Sequence, residues 1–196
     1  ALSLVNCRER RSYPVMAKQV VRTDEEKAEA KQKAKQKKAR KQQKQGKRGR
    51  PKGSKNRNKT NVTLSPELIR IQEMIKQFLA LAGKSITISY IVLDGHFGNN
   101  NALQMVRQCG LHLISKLRHD AALHFVYQGS YAGKGPHKKY GDKINYARLP
   151  DKYLVDTSVD KQIETRIYQA QMLHHDFSQR LNVVILHKTN THTGAC

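Results

Sequence analysis

The stretch SITISYIVLDGHFGNNNALQMVRQCGLHLISKLR, residues 85–118, decides the fold class. Its first nine residues, SITISYIVL, alternate and then become continuously apolar, which predicts a strand buried on both faces. The run stops on a single acid, Asp94, followed by a glycine, a histidine and an asparagine cluster. Asn99 or Asn100 is placed to cap a helix in which Ala102, Met105, Val106 and Cys109 share one face, and Gly110 ends it. LHLISKL then returns to strand character. Strand, helix and strand over about thirty residues predict a βαβ unit, with a parallel pair in an α/β sheet. In open sheets of this kind, reactive groups gather at the carboxyl ends of strands, which is where Asp94 falls. An acid at such a place is also often a loop cap bonded to nearby N–H groups. Position alone leaves both roles open.

Upstream, Ser65, Pro66 and Glu67 mark a helix start as N-cap, first-turn proline and dipole-matched acid. Leu68, Ile71, Ile75, Phe78, Leu79 and Ala82 recur at helical spacing, and Gly83 stands where a terminal glycine belongs. The spacing predicts a helix that packs on a sheet. Nearer the start, ALSLV and YPVMAKQVV flank the charged turn NCRERR, as in a hairpin or two sheet strands. Beyond Arg118, the turn-rich YQGSYAGKGPHKKYGDK, the alternating QIETRIYQAQML and the apolar LNVVILH predict an antiparallel β region, with HHDFSQR as a turn.

Charge is concentrated in one segment. The formal net charge is +22, from 37 Lys and Arg against 15 Asp and Glu. Residues 27–59 hold sixteen of those cations and one acid, Glu29, whereas residues 61–196 hold sixteen cations and ten acids. A block so basic is drawn to polyanions, nucleic acid first. Residues 22–45, RTDEEKAEAKQKAKQKKARKQQKQ, have helical composition but no apolar face, so they read as a solvated helix or a disordered arm. The following GKRGRPKGSKNRNKTN must be extended or flexible. Within it, Arg48-Gly49-Arg50-Pro51 matches the core of an AT-hook, in which two arginines lie along the narrow minor groove of A·T-rich DNA. Lys47, Arg48, Gly49, Arg50, Pro51, Lys52, Lys55 and Arg57 are the candidate DNA-binding residues. The plainer alternative is a polybasic linker that touches phosphates without sequence preference.

Several classes are disfavoured. Cys7, Cys109 and Cys196 form no CxxC pair and no metal-ligand spacing, which points to thiols in a reducing compartment. No apolar run approaches the roughly 18 residues of a membrane helix, and the first residues lack a signal-peptide pattern. Gly83-Lys84-Ser85 and Gly129 to Lys134 both miss the spacing of a P-loop. His174, His175, His187 and His192 show no zinc-like pattern and are expected along a strand or its turn.

The phrases YIVLDGHFGNNNALQMVRQCGLHLISKLRHDAAL, GKGPHKKYGDK and KRGRPKGSKNRNK resemble insertion-sequence transposases of the DDE superfamily, in a branch common in cyanobacteria. The resemblance runs from RRSYPV to LNVVILHKTN. It implies an α/β fold with a ribonuclease-H-like mixed sheet and flanking helices, an antiparallel β insertion and a basic disordered arm. It divides the chain into core sheet strands at 1–21, a basic arm or linker at 22–64, an α/β core segment at 65–118 and a β-rich insertion at 119–196, truncated at its end. Asp94 matches the second acid of a carboxylate triad that holds Mg²⁺ or Mn²⁺ for DNA strand cleavage and transfer. It is therefore the candidate catalytic and metal-binding residue, with Lys116 and Arg118 as further candidate DNA contacts. The family's first Asp and its Glu have no match within the chain, and Asp120 and Glu164 sit in no matching motif. Asn6 departs from an Asp expected of relatives. The chain also begins within one strand and ends just after another, so it is expected to be an internal piece, inactive and weakly metal-binding by itself. The resemblance further implies double-stranded DNA at insertion-sequence ends as partner, no membrane, a homodimer as an option for the intact enzyme, and a bacterial cytoplasmic, nucleoid-associated setting. The rival reading is a non-enzymatic basic DNA-binding protein, and a ribosome-associated basic protein stands behind it.

Overall fold

The computed structural model describes residues 1–21, 23–42, 58–82, 85–131, 133 and 135–193. The chain divides into two compact units, Ala1–Arg57 with Glu73–Ser85, and Asn58–Gln72 with Ile86–Cys196. Its class is mixed α/β, as the alternating patterns imply. No described helix is long and apolar enough to cross a membrane.

In the first unit, strands β1 (Leu2–Asn6) and β2 (Arg11–Met16) form an antiparallel hairpin. Asn6 sets its turn, because its Oδ1 accepts from the backbone N–H groups of Arg8 at 3.1 Å and Glu9 at 3.3 Å. Helix α1 (Asp24–Gln42) follows. Of the two alternatives, disordered arm and helix, these residues take the helix, and the side chains described along it are exposed. Ala, Lys, Gln and Glu lose little rotamer freedom in a helix, so their propensity favours it.

Helix α2 (Pro66–Ala82) begins in the second unit and continues into the first from Glu73. Ser65 Oγ accepts from the Leu68 N–H at 3.3 Å, the N-cap expected of it. Leu68, Ile75 and Phe78 are buried, on the face set by the 3.6-residue period. Gly83, its expected terminal glycine, lies outside the described residues, as do Lys84, Lys134 and Cys196.

The βαβ unit belongs to the second unit of the chain. Strand β3 (Tyr90–Val92), helix α3 (Asn100–Gln108) and strand β4 (His112–Ile114) follow in order, and β3 pairs with β4 in parallel, Ile91 opposite Leu113. Asn99 caps α3 by accepting from the Ala102 N–H at 3.1 Å. Gly110 ends the helix with φ of 75°, a conformation that costs a side-chain-bearing residue but not glycine. Ala102, Met105 and Val106 are fully buried. One expectation fails here: β3 is not buried on both faces, since Tyr90 is 62% and Val92 71% exposed. The pair has two strands, and its outward side chains Tyr90, Val92 and Ile114 remain exposed.

A five-stranded antiparallel sheet occupies the rest, matching the predicted β region. Its spine is β8 (Ile163–His174), paired along its length with β9 (Leu181–Asn190). The other edge of β8 is shared by β7 (Leu154–Asp160) at one end and β5 (Leu123–Val126) at the other, and β6 (Tyr140–Lys143) extends beyond β5. Alternating residues of β8 and β9, including Ala170, Met172 and Val183, form a core with Leu123 and Ile144.

Candidate active site

Asp94 stands just past the carboxyl end of β3, as the sequence predicts. The Leu93 N–H still bonds to the Ile114 carbonyl at 3.0 Å, and there the two parallel strands part. Asp94 is exposed and caps a single 3₁₀ turn, Gly95–Phe97. Its Oδ1 accepts from the Gly95 N–H at 2.7 Å. Its carbonyl accepts from the Phe97 N–H at 2.8 Å and from the Ser115 hydroxyl at 2.9 Å. The cap role and the strand-end position therefore coincide. Oδ2 has no hydrogen-bond partner among the described residues and stays open to solvent or a cation.

The loop bearing Asp94 rests directly on the loop leaving β4. A Cβ built on Gly98 would fall inside 3.0 Å of the Lys116 carbonyl oxygen, and one on Gly95 would sit 3.4 Å from that same oxygen. Glycine at 98 thus allows the two strand-end loops to touch. No local pattern singles out Gly98 or Ser115, because their roles depend on a register between loops some twenty residues apart.

A second feature absent from the sequence-level site is a polar network built on two buried residues of α3. Asn100 and Gln104 are the buried polar residues of α3. Asn100 Nδ2 donates to the Lys59 carbonyl at 2.7 Å, and its Oδ1 accepts from the Ser178 N–H at 3.1 Å. Gln104 Nε2 donates to the Ser178 hydroxyl at 2.8 Å, while Lys59 Nζ donates to the His175 carbonyl and Arg107 to Gln179. Helix α3, the β8–β9 turn and residue 59 are thereby tied together. Asn100, the asparagine immediately after the capping one, was the available signal.

Lys116 and Arg118 follow β4 at the same sheet edge as Asp94, both exposed. Arg118 is held in a two-pronged pair with Asp120, at 3.1 Å for each contact. At 82% side-chain exposure the pair contributes little to stability, and the guanidinium can exchange partners. Asp120 also helps burial push the Tyr146 hydroxyl above its ordinary range, with burial the larger cause. Glu164 pairs with Arg166 on β8 at 3.2 Å. Lys47, Arg48, Gly49, Arg50, Pro51, Lys52, Lys55 and Arg57 lie outside the described residues. No group of three His, Cys, Asp or Glu side chains placed to hold a metal occurs among the described residues. The histidines occupy strands and turns: His174 ends β8, and burial lowers its pKa from the ordinary histidine value.

A family model for DDE superfamily endonucleases matches residues 7–179. The chain belongs to that family. Membership assigns it a nuclease- or transposase-type function in general terms, with DNA as the substrate. The match takes in β2 of the hairpin, the βαβ unit with Asp94 and the antiparallel sheet through β8. No curated protein and no solved structure matches the chain.

Proposed function

We propose that this chain contributes Asp94 as the second of three carboxylates in a metal-dependent transposase that binds insertion-sequence ends and cleaves and rejoins DNA strands there. The observation that carries the reading is an exposed acid at the carboxyl end of a parallel strand, in a chain of the DDE superfamily endonuclease family. The other two carboxylates are assigned to segments outside residues 1–196. The outward apolar face of β3 and β4, with Tyr90, Val92 and Ile114 half or more exposed, favours this: such a face suits a sheet with further cover.

Mg²⁺ or Mn²⁺ fits Asp94 as one ligand among several, since a hard, exposed, anionic oxygen is the donor these ions take. A bound ion would supply activation of a water or 3′-hydroxyl and would offset charge developing on the phosphodiester. The chain's own residues do the positioning. The Gly95 N–H holds Oδ1, while Oδ2 has no hydrogen-bond partner among the described residues. Ser115 anchors the Asp94 carbonyl to the end of β4. Lys116 and Arg118 supply positive charge at that edge, where a scissile phosphate would approach. The basic segment 27–59, with its AT-hook-like Arg48 to Pro51, is assigned to gripping DNA by charge, with a preference for A·T-rich duplex.

The capping bond from Gly95 to Asp94 favours the second reading, a non-enzymatic DNA-binding protein in which Asp94 only shapes a loop. Metal-dependent nicking of a labelled insertion-sequence end separates them. The protein, tested together with the chain that flanks residues 1–196, nicks under the first reading and binds without nicking under the second.

A further inference from the structure

A cleft of about 460 Å³ opens in the antiparallel sheet, away from the loops that carry Asp94. It is walled by β5, β6 and the segments that follow each of them. Four cations line it, Lys138, Lys143, Arg148 and Lys152, against one acid, Asp142. Two of these cations are held by aromatic rings. Lys138 Nζ lies 5.0 Å from the centre of the Tyr127 ring, and Lys152 Nζ lies 4.9 Å from that of Tyr153. Tyr153 is itself stacked on Phe125, with ring centres 4.9 Å apart and planes within 8°.

This arrangement differs from a scatter of surface lysines. Ring faces attract ammonium groups and narrow the range of positions they sample. Less side-chain entropy is then lost when an anion binds. The backbone is shaped for the cleft as well. A Cβ on Gly141 would stand 3.1 Å from the Phe125 carbonyl oxygen, so glycine allows β6 to lie close against β5. A Cβ on Gly129 would run into the Tyr127 ring, so glycine leaves that ring room beside the chain.

We infer that this cleft is a second DNA contact, in which the phosphodiester backbone of one strand lies along the four cations without base recognition. The inference rests on the proposed function, in which DNA is the substrate, and it assigns the β-rich region a binding role apart from residues 27–59 and from the edge at Asp94. A groove of positive charge edged by aromatic rings is how proteins follow a nucleic-acid backbone irrespective of sequence. An acidic protein segment would meet the same charge, but the family's substrate is DNA.

The test is lysine acetylation of the full chain, read by mass spectrometry, with a DNA duplex of arbitrary sequence, with polyglutamate, and with neither. DNA should slow modification of Lys138, Lys143 and Lys152 several-fold, and polyglutamate at matched charge should not. A triple variant, Lys138→Gln with Arg148→Gln and Lys152→Gln, should flatten the log–log salt dependence of DNA binding by about 2 to 3, near 0.9 for each phosphate lost. Equal modification rates with and without DNA would overturn the inference, as would protection by polyglutamate alone. Footprinting of the wild-type chain keeps the test decisive even where the triple variant folds poorly. The catalytic reading fails separately: Asp94→Asn would still permit nicking while these lysines were protected.

Discussion

Replacing Gly98 by alanine tests whether the loop carrying Asp94 is held as described. The residue's φ is −70°, outside the left-handed region that favours glycine, so the cost of alanine there is chiefly steric. The added methyl would fall inside 3.0 Å of the Lys116 carbonyl oxygen and 3.2 Å from both the Lys116 carbonyl carbon and the Gly95 carbonyl oxygen. All three are backbone atoms, which cannot rotate away as a side-chain tip would. One loop must therefore move, and such overpacking costs roughly 1–3 kcal/mol. Two controls isolate the cause. Gly95→Ala meets Lys116 at 3.4 Å, an ordinary contact, and should cost little. Gly110→Ala has open space but φ of 75°, so its penalty is conformational, about 1–2 kcal/mol. Urea unfolding of the full chain, followed by circular dichroism, gives the three values. Gly98→Ala should shift the midpoint clearly more than Gly95→Ala. Equal shifts would refute the close approach of the two strand-end loops, and with it the placement of Asp94 beside Ser115 and Lys116.

Three further outcomes rest on the network and the charge distribution. Asn100→Ala would leave the Lys59 carbonyl and the Ser178 N–H without their partner, at about 1–3 kcal/mol; an unchanged urea midpoint would mean that α3 is not tied to the β8–β9 turn in this way. Deleting residues 27–57, which spares Lys59, removes all but one of the sixteen cations of the basic segment and should sharply weaken DNA binding and flatten its salt dependence. Within that segment, Arg48→Ala with Arg50→Ala should weaken binding to A·T-rich duplex more than to G·C-rich duplex, and equal losses would leave only a polybasic linker.

Local signals in the sequence carried much of the architecture. Ser65 and Asn99 mark helix starts through short-range bonds, and Gly110 marks an end through a backbone conformation few other residues adopt. Apolar period was reliable for α2, α3 and β8, because one face of each is buried. It misled at β3, where a continuous apolar run implied two covered faces and the outward one is open. Pattern records which residues avoid water, not whether the layer that would cover them is at hand. Asp94 was legible as a strand-end acid because a lone carboxylate interrupts an apolar run. Its supporting residues were not, since Ser115, Gly98 and Lys116 matter only once two separate loops are brought together. The cleft of the antiparallel sheet was likewise hidden: Lys138 and Lys152 pair with rings eleven residues and one residue away, at no period that sequence reading follows. For residues 24–42, composition left helix and disorder equally open, because no apolar stripe was present to decide between them.

The central claim is that Asp94 is a catalytic carboxylate rather than a loop cap, and Asp94→Asn separates the two with almost no change in shape. The asparagine keeps an oxygen that can accept from the Gly95 N–H, so the cap survives while the charge that would hold a cation is lost. The measurement is nicking of a labelled insertion-sequence end with Mg²⁺ or Mn²⁺, by the protein together with the chain that flanks residues 1–196, with DNA binding measured in parallel. The account predicts that the asparagine variant binds DNA nearly as well as the parent and does not nick it. Nicking at the parent's rate by Asp94→Asn, or metal-dependent nicking by residues 1–196 alone, would contradict it.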